Sequence, residues 1–221
     1  MKDRLTEELL AMRAAREIKP GEYCNLGIGL PQMCVSYVPE GCIVQTENGA
    51  LGYGPLITAE NFDQMDLDLV DAGSRFFTPA PGMVFFDMLT SFAMIRSGRL
   101  TSILGGLQVS ERGDLAIHGT SEDDIYPQIG GAMDLAWGAK RLIVAMTHNT
   151  KEGKSKIVKG LTLPISAGGC VNLILTDLAV IEVTPEGLLL KEYAPGWTPE
   201  EIQEQTEARL IVADDVGEIE F

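Results

Sequence analysis

Apolar residues recur at helical spacing over the first twenty positions. Leu5, Leu9, Met12 and Arg16 share one stripe, with Leu10, Ala14 and Ile18 beside it, which predicts an amphipathic helix. Asp3 is placed to cap its start and Pro20-Gly21 to stop it. The pattern then changes to short apolar runs divided by glycine turns. Tyr23 to Leu26 predicts a strand, followed by the loop Gly27-Ile28-Gly29-Leu30. Pro31 opens a helix at its first position, where the missing N–H costs nothing. Cys42 to Thr46 predicts a strand that ends in the turn Glu47-Asn48-Gly49, and Leu67 to Val70 predicts another before Gly73. Phe85 to Ile95 predicts a largely apolar helix ended by Ser97-Gly98. Ser102 to Leu104 and Leu107 to Val109 flank Gly105-Gly106, which suggests strands meeting at a tight bend. Gly130-Gly131 opens a helix through Ala139, and Leu142 to Met146 is an uninterrupted apolar strand. Ala179 to Val183 and Leu188 to Glu192 flank Pro185-Glu186-Gly187 as a hairpin. Thr198-Pro199-Glu200-Glu201 is a capping box with proline at the first helical position, so a helix runs to about Thr206. Arg209 to Ala213 closes the series as a strand.

Strands alternating with helices predict an α/β fold with a largely parallel sheet, made mixed by the late hairpin. No linker, repeat or low-complexity segment divides the 221 residues, so a single domain over 1–221 is expected. Apolar residues make up 45% of the chain, enough for a sizeable core. The net charge of −15 makes nucleic acid and anionic membranes poor partners. The same charge opposes a polyanionic ligand, which would need local cations, backbone N–H groups or a second subunit. Cys24, Cys34, Cys42 and Cys170 lack metal-ligand spacing, and with only two histidines a zinc site is not expected. They read as reduced thiols. With no apolar leader segment and no membrane-length apolar run, a cytoplasmic protein is expected.

Four segments carry candidate chemistry. Glu47 stands at the carboxyl end of a strand, where α/β sheets bind ligands, with Asn48-Gly49 forming the turn behind it. The bland alternative is an exposed turn glutamate. Gly27 and Gly29 lie in a strand–loop–helix arrangement whose N–H groups suit an anion. Gln32 occupies the place of the third glycine of a dinucleotide fingerprint, which weakens a nicotinamide reading. Gly130 and Gly131 open a helix whose N–H groups and dipole favour developing negative charge. Lys151, Lys154, Lys156 and Lys159 form a basic run, read in the first instance as a solvated loop. His118 and His148 form no triad with a nucleophile, and Glu122-Asp123-Asp124 reads as a solvated acidic loop.

In their joint order these segments resemble the beta (B-type) chains of the 3-oxoacid CoA-transferase family. The resemblance is carried by Asn25 to Pro31 (NLGIGLP), Gln45 to Gly52 (QTENGALG), Asp71-Ala72-Gly73 and Ser91 to Arg96 (SFAMIR). It continues through Gln108-Val109-Ser110, Gly113 to Ala116 (GDLA) and Gly130 to Leu135 (GGAMDL). Lys156-Ile157-Val158, Leu163-Pro164 and Cys170-Val171-Asn172 complete it. It implies a three-layer α/β/α CoA-transferase fold. Glu47 would be the carboxylate that carries the acyl group and then CoA. The N–H of Gly131 would hold the thioester oxygen, with Gly27, Gly29, Asn48, Gly49 and Gly130 contacting substrate. A separate A subunit would complete an α2β2 assembly, with acyl-CoA and a carboxylic acid as substrates and no permanently bound cofactor or metal. The chain departs from the family at Ile117-His118, in the segment 119–128 and at Thr147. These departures bear on which acid is accepted. A thioester hydrolase on the same fold and a non-catalytic assembly subunit stay open as alternatives.

Overall fold

The computed structural model describes residues 2–119 and 129–221. The acidic residues Glu122-Asp123-Asp124 and most of the divergent segment Ile117 to Gln128 lie outside the described residues.

The first helix, α1 (Glu7–Ala15), starts on Thr6, whose hydroxyl accepts the Leu9 N–H; Asp3 is not the cap. Glu7 and Glu8 in its first turn and Arg13 in its last complement the helix dipole. Its buried face is Leu10, Ala11, Ala14 and Ala15, continued by Ile18. Arg13 is held between Glu17 and Glu192 at 2.7 and 2.6 Å, which ties the helix to the strand that carries Glu192.

Strand β1 (Tyr23–Leu26) leads into α2 (Leu30–Met33), a single turn with proline at its start, continued by a 3₁₀ turn (Cys34–Ser36). Strands β2 (Ile43–Thr46), β3 (Ala50–Leu51) and β4 (Val84–Phe85) follow. The strand expected at Leu67 to Val70 does not form. Asp66 accepts the Asp68 and Leu69 N–H groups in a local turn, Leu67 points to solvent, and only Val70 bridges to Phe76. A side chain that satisfies nearby backbone competes with a sheet ladder, and here it wins. The next helix, α3 (Met88–Ile95), begins at an Asp87 cap rather than at Phe85.

The chain continues through β5 (Leu100–Leu104), β6 (Gln108–Ser110), β7 (Leu115–Ala116) and α4 (Ala132–Gly138). It then forms β8 (Arg141–Met146), β9 (Ile157–Val158) and β10 (Leu173–Thr176). Last come β11 (Ala179–Thr184), β12 (Gly187–Tyr193), α5 (Pro199–Gln205) and β13 (Leu210–Glu218). The capping box at Thr198 and Glu201 is complete in both directions.

The large sheet has the order β13-β12-β11-β10-β8-β5-β1-β2-β3-β4. Its centre, β10-β8-β5-β1-β2, is parallel throughout. Gly105-Gly106 is a point of exit rather than a bend between paired strands. The chain leaves the large sheet there for a second one, ordered β7-β6-β9. A side chain at 106 would meet Val144 Cγ1 at 2.8 Å, so only glycine passes over β8 this closely.

Side chains alternate faces along the central strands. Leu142, Val144 and Met146 point into a core shared with Ile95, Leu135 and Ile202 from α3, α4 and α5. Ile143 and Ala145 point into the opposite core, shared with Leu10, Ala14 and Cys34. Helices therefore cover both faces, giving three α/β/α layers, and burial on both sides explains why β8 reads as an unbroken apolar run. Val109, Leu115 and Ile157 of the small sheet join the first of these cores.

Candidate active site

Three neighbouring parallel strands, β5, β1 and β2, end side by side at Leu104, Leu26 and Thr46. The residues that follow them, Gly105, Gly27 and Glu47, line a cavity of about 260 Å³. Ile129, Gly130, Gly131 and Leu135 form the wall opposite, at the start of α4. This is the position at which open parallel sheets place their ligands.

Glu47 is half-buried, and among the described residues no donor is bonded to its carboxylate. Burial, which disfavours the ionised form, lifts its pKa above the usual range, and the charge of Asp134 adds to the rise. The carboxylate rests against the helix start: a Cβ at Gly131 would overlap Glu47 Oε2 and lie 3.1 Å from Phe92 Cζ. Gly131 is the N-cap of α4 with an ordinary φ of −81°, so glycine is required there by proximity, not by backbone conformation. At Gly130 the reverse holds: φ is +51° and the space around it is open.

The polar groups beside Glu47 are engaged elsewhere. Asn25 and Gln45 stand opposite one another in the β1–β2 register, and Asn25 Nδ2 donates to Gln45 Oε1 at 2.5 Å. Gln45 Nε2 donates in turn to Ser91 Oγ at 2.8 Å, which fixes β2 to α3. Thr46 Oγ1 accepts the Ala72 N–H and donates to Asn48 Oδ1. Asp71 accepts both from Gln32 Nε2 and from the Gly73 and Arg75 N–H groups, tying the 71–75 loop to α2.

Of the residues singled out in the sequence, Glu47, Gly27, Gly130 and Gly131 meet at this cavity, and Gly29, Asn48 and Gly49 do not line it. Gly29 is exposed at the N-cap of α2. Asn48 Nδ2 donates to the Val70 carbonyl at 2.8 Å. The Gly49 N–H donates to Thr46 O rather than to Glu47, and its φ of +115° lets the turn lie on the Phe86 carbonyl. Lys151, Lys154 and Lys159 are exposed away from the cavity, and Lys156 is partly buried near Thr147. His148 is fully buried between Thr176 Oγ1 and Thr206 Oγ1 at 2.9 and 2.8 Å. Burial depresses its pKa to about 4. Sequence reasoning overlooked Gln32, Tyr53 and Leu135 as lining residues. Ile117, one of the departures from the family pattern, is also on the cavity wall.

Fold and cavity together define a three-layer α/β/α protein with a half-buried carboxylate, without a donor among the described residues, in a cleft at its strand ends. The coenzyme A transferase family profile matches residues 8–205. The chain is 44% identical over 213 residues to the B chain of the 3-oxoadipate CoA-transferase of Acinetobacter baylyi, covering 95% of this chain and 97% of that one. It is 42% identical over 207 residues to the B chain of the Helicobacter pylori succinyl-CoA:3-ketoacid coenzyme A transferase, covering 93% and 98%. Among solved structures, an acyl-CoA transferase from Escherichia coli O157:H7 superimposes with a TM-score of 0.74 at 19% identity. All of this chain is matched there, but it spans only 44% of that longer chain. Glutaconate coenzyme A-transferase from Acidaminococcus fermentans gives a TM-score of 0.71 at 18% identity, over 99% of this chain and 91% of that one. The chain belongs to the coenzyme A transferase family, as an enzyme of the 3-oxoacid type related to its beta chains.

Proposed function

We propose that this chain is the single-domain subunit that carries the covalent chemistry of a cytoplasmic CoA transferase, moving CoA from an acyl-CoA to a 3-oxo acid through Glu47. It acts with a separate A subunit in an α2β2 assembly, with CoA as substrate and no resident cofactor. The observation that carries this reading is the half-buried Glu47 carboxylate, without a donor among the described residues, lying against the Gly131 start of α4.

A carboxylate stripped of water is more reactive toward a thioester than a hydrated one. Glu47 attacks the acyl-CoA carbonyl, and the C–S bond breaks to give a mixed anhydride and CoA thiolate. The thiolate attacks the glutamyl carbonyl and expels the acyl group as a free carboxylate, leaving a Glu47–CoA thioester. An incoming carboxylate then reverses both steps and leaves with CoA. Each attack gathers negative charge on a carbonyl oxygen, and the Gly131 N–H at the start of α4 would receive it. One such donor is worth about 3 to 4 kcal/mol of barrier in known cases. Leu26, Leu104, Ile117, Ile129 and Leu135 give the acyl end an apolar wall.

The test is mass spectrometry of the assembled enzyme after incubation with acyl-CoA alone. The expected result is a CoA adduct on the peptide containing Glu47, removable by borohydride and absent from Glu47→Gln. No adduct together with undiminished turnover in Glu47→Ala would point to an assembly role. Release of free thiol, without CoA appearing on an added acid, would point to hydrolysis.

A further inference from the structure

The lining of the cavity beside Glu47 is unbalanced in charge. Part of it is aliphatic, formed by Leu26, Leu104, Ile117, Ile129 and Leu135. The rest is polar, and among the described residues its charged groups are the carboxylates of Glu47 and Asp71, with no lysine, arginine or histidine. Asp71 is buried and fixed in the wall, because its oxygens accept from Gln32 Nε2 and from the Gly73 and Arg75 N–H groups. Cations on neighbouring segments are committed elsewhere. Arg75 donates to the Gln32 carbonyl at 2.5 Å and lies 3.6 Å from Asp71. Arg96 pairs with Asp134 at 2.7 Å. His118, next to Ile117 in the chain, places Nδ1 at 2.9 Å from Ser166 Oγ. The stretch 120–128, between Ile117 and Ile129 in sequence, contains Glu122, Asp123 and Asp124 and no basic residue.

We infer that this cavity selects monocarboxylic acids with an uncharged, apolar far end and rejects dicarboxylic acids. The inference rests on the proposed function and narrows it by naming the class of acid exchanged. Glu47 can attack an acyl carbonyl only if the acyl chain lies in the space that the carboxylate faces, and that space is this cavity. A chain ending in methyl places apolar atoms against Ile117, Ile129 and Leu135 and gains from their burial. A chain ending in a second carboxylate meets two penalties of the same sign. Its charge leaves water for an aliphatic wall that offers no cation, and it is repelled by Glu47 and Asp71. Ile117 is the determinant within easiest reach of substitution: it is partly exposed, lines the cavity, and its backbone N–H is already satisfied by Ser166 Oγ.

The experiment measures kcat/KM for CoA transfer from acetyl-CoA by the assembled enzyme, using acceptor acids matched in chain length. Butyrate and succinate differ only in a methyl or a carboxylate at the far end, and so do 3-oxohexanoate and 3-oxoadipate. Each monocarboxylate is expected to exceed its partner by roughly a hundredfold or more. Succinamate keeps the shape of succinate without the second charge and should recover at least about tenfold of that loss. Ile117→Lys places a cation on the wall and should narrow the butyrate-to-succinate ratio by roughly tenfold, whereas Ile117→Leu should preserve it. The wild-type comparison stands by itself if the lysine variant does not fold. Ratios within about threefold of unity, or a preference for the dicarboxylates, overturn the inference. So does succinamate rejected as strongly as succinate, since charge would then not be the cause. In each of these cases a CoA adduct on Glu47 after incubation with acetyl-CoA leaves the proposed function standing. No adduct and no transfer to any of the acids overturns that function and this inference with it.

Discussion

Gly131→Ala isolates the geometry on which the proposed chemistry depends. Its φ of −81° suits alanine, so the backbone resists nothing. The added methyl group, however, would occupy the place of Glu47 Oε2 and press on Phe92 Cζ at 3.1 Å. Phe92 is half-buried and held under Arg96, so the freer partner is the carboxylate. A retreat on the order of 1 Å would move the oxygen proposed to react off its line of attack, and displacements of that size cost about a hundredfold in rate. The stability cost should stay near ~0.5 kcal/mol or below, the difference between glycine and alanine at an uncapped helix start.

Gly130→Ala is the matched control. It meets no atom within 4 Å but forces alanine into a φ of +51°. It should cost about 1 kcal/mol of stability and leave the Glu47 carboxylate where it is. The assay pairs steady-state turnover with the yield of the Glu47 adduct and with urea unfolding of each variant. The expected pattern is crossed: Gly131→Ala loses far more turnover than stability, and Gly130→Ala more stability than turnover. A Gly131→Ala enzyme with wild-type turnover and adduct yield would refute the claim that the carboxylate works from its seat on α4.

Two further outcomes follow from the titrating groups. The Glu47 pKa is raised by burial and by Asp134, so kcat/KM should fall on the acid side at a pH above the ordinary glutamate range, and Asp134→Asn should move that limb to lower pH. A carboxyl raised in the folded state is the reverse of the usual case. Its stabilising contribution is present below the unfolded pKa and lost as pH rises through the folded one, so Glu47→Gln should be more stable than wild type at neutral pH. His148, with a folded pKa of about 4 against 6.5, must stay neutral to fold; stability is lost as pH falls from 6.5 toward 4. The loss approaches about 3 kcal/mol. Urea unfolding between about pH 7 and pH 4.5, the window in which the unfolded-state histidine takes up its proton, should show wild type losing that much more than His148→Gln, and parallel losses would refute the assignment.

Local rules located most of the helices and the central strands, because each is set by its own residues: a capping box at Thr198, a proline at position 31, an unbroken apolar run at 142–146. Where the reading failed, a polar side chain had taken over backbone bonding. Asp66 turned the expected strand at Leu67 into a loop. Thr176 Oγ1 accepts the Leu178 and Ala179 N–H groups and splits the apolar stretch after Asn172 into β10 and β11, which periodicity alone does not divide. Strand β13 runs to Glu218, past Asp214 and Asp215, because charge is tolerated on an edge strand. The cavity was half legible. Glu47 and the glycine pair announced themselves as turn and helix-start residues, whereas Gln32, Tyr53 and Leu135 have nothing in their local sequence that points toward a common cleft.

The support around Glu47 explains how a carboxylate with no partner among the described residues persists in a half-buried place. Buried polar groups ordinarily find partners, and a free donor within reach would have bonded this one and lowered its reactivity. Among the described residues the donors on the β1–β2 side are committed: Gln45 to Ser91, Asn25 to Gln45, Thr46 to Asn48, and the Gly49 N–H to Thr46. These bonds hold β1, β2 and α3 in register and give the turn its shape. The same polar network that stabilises the sheet at this edge therefore withholds those donors from Glu47. The carboxylate is left with Gly131 on one side, Asp134 raising its energy, and the cavity as the direction in which its charge can be relieved. Order at the strand ends and the availability of this carboxylate for the proposed chemistry thus follow from one hydrogen-bond pattern.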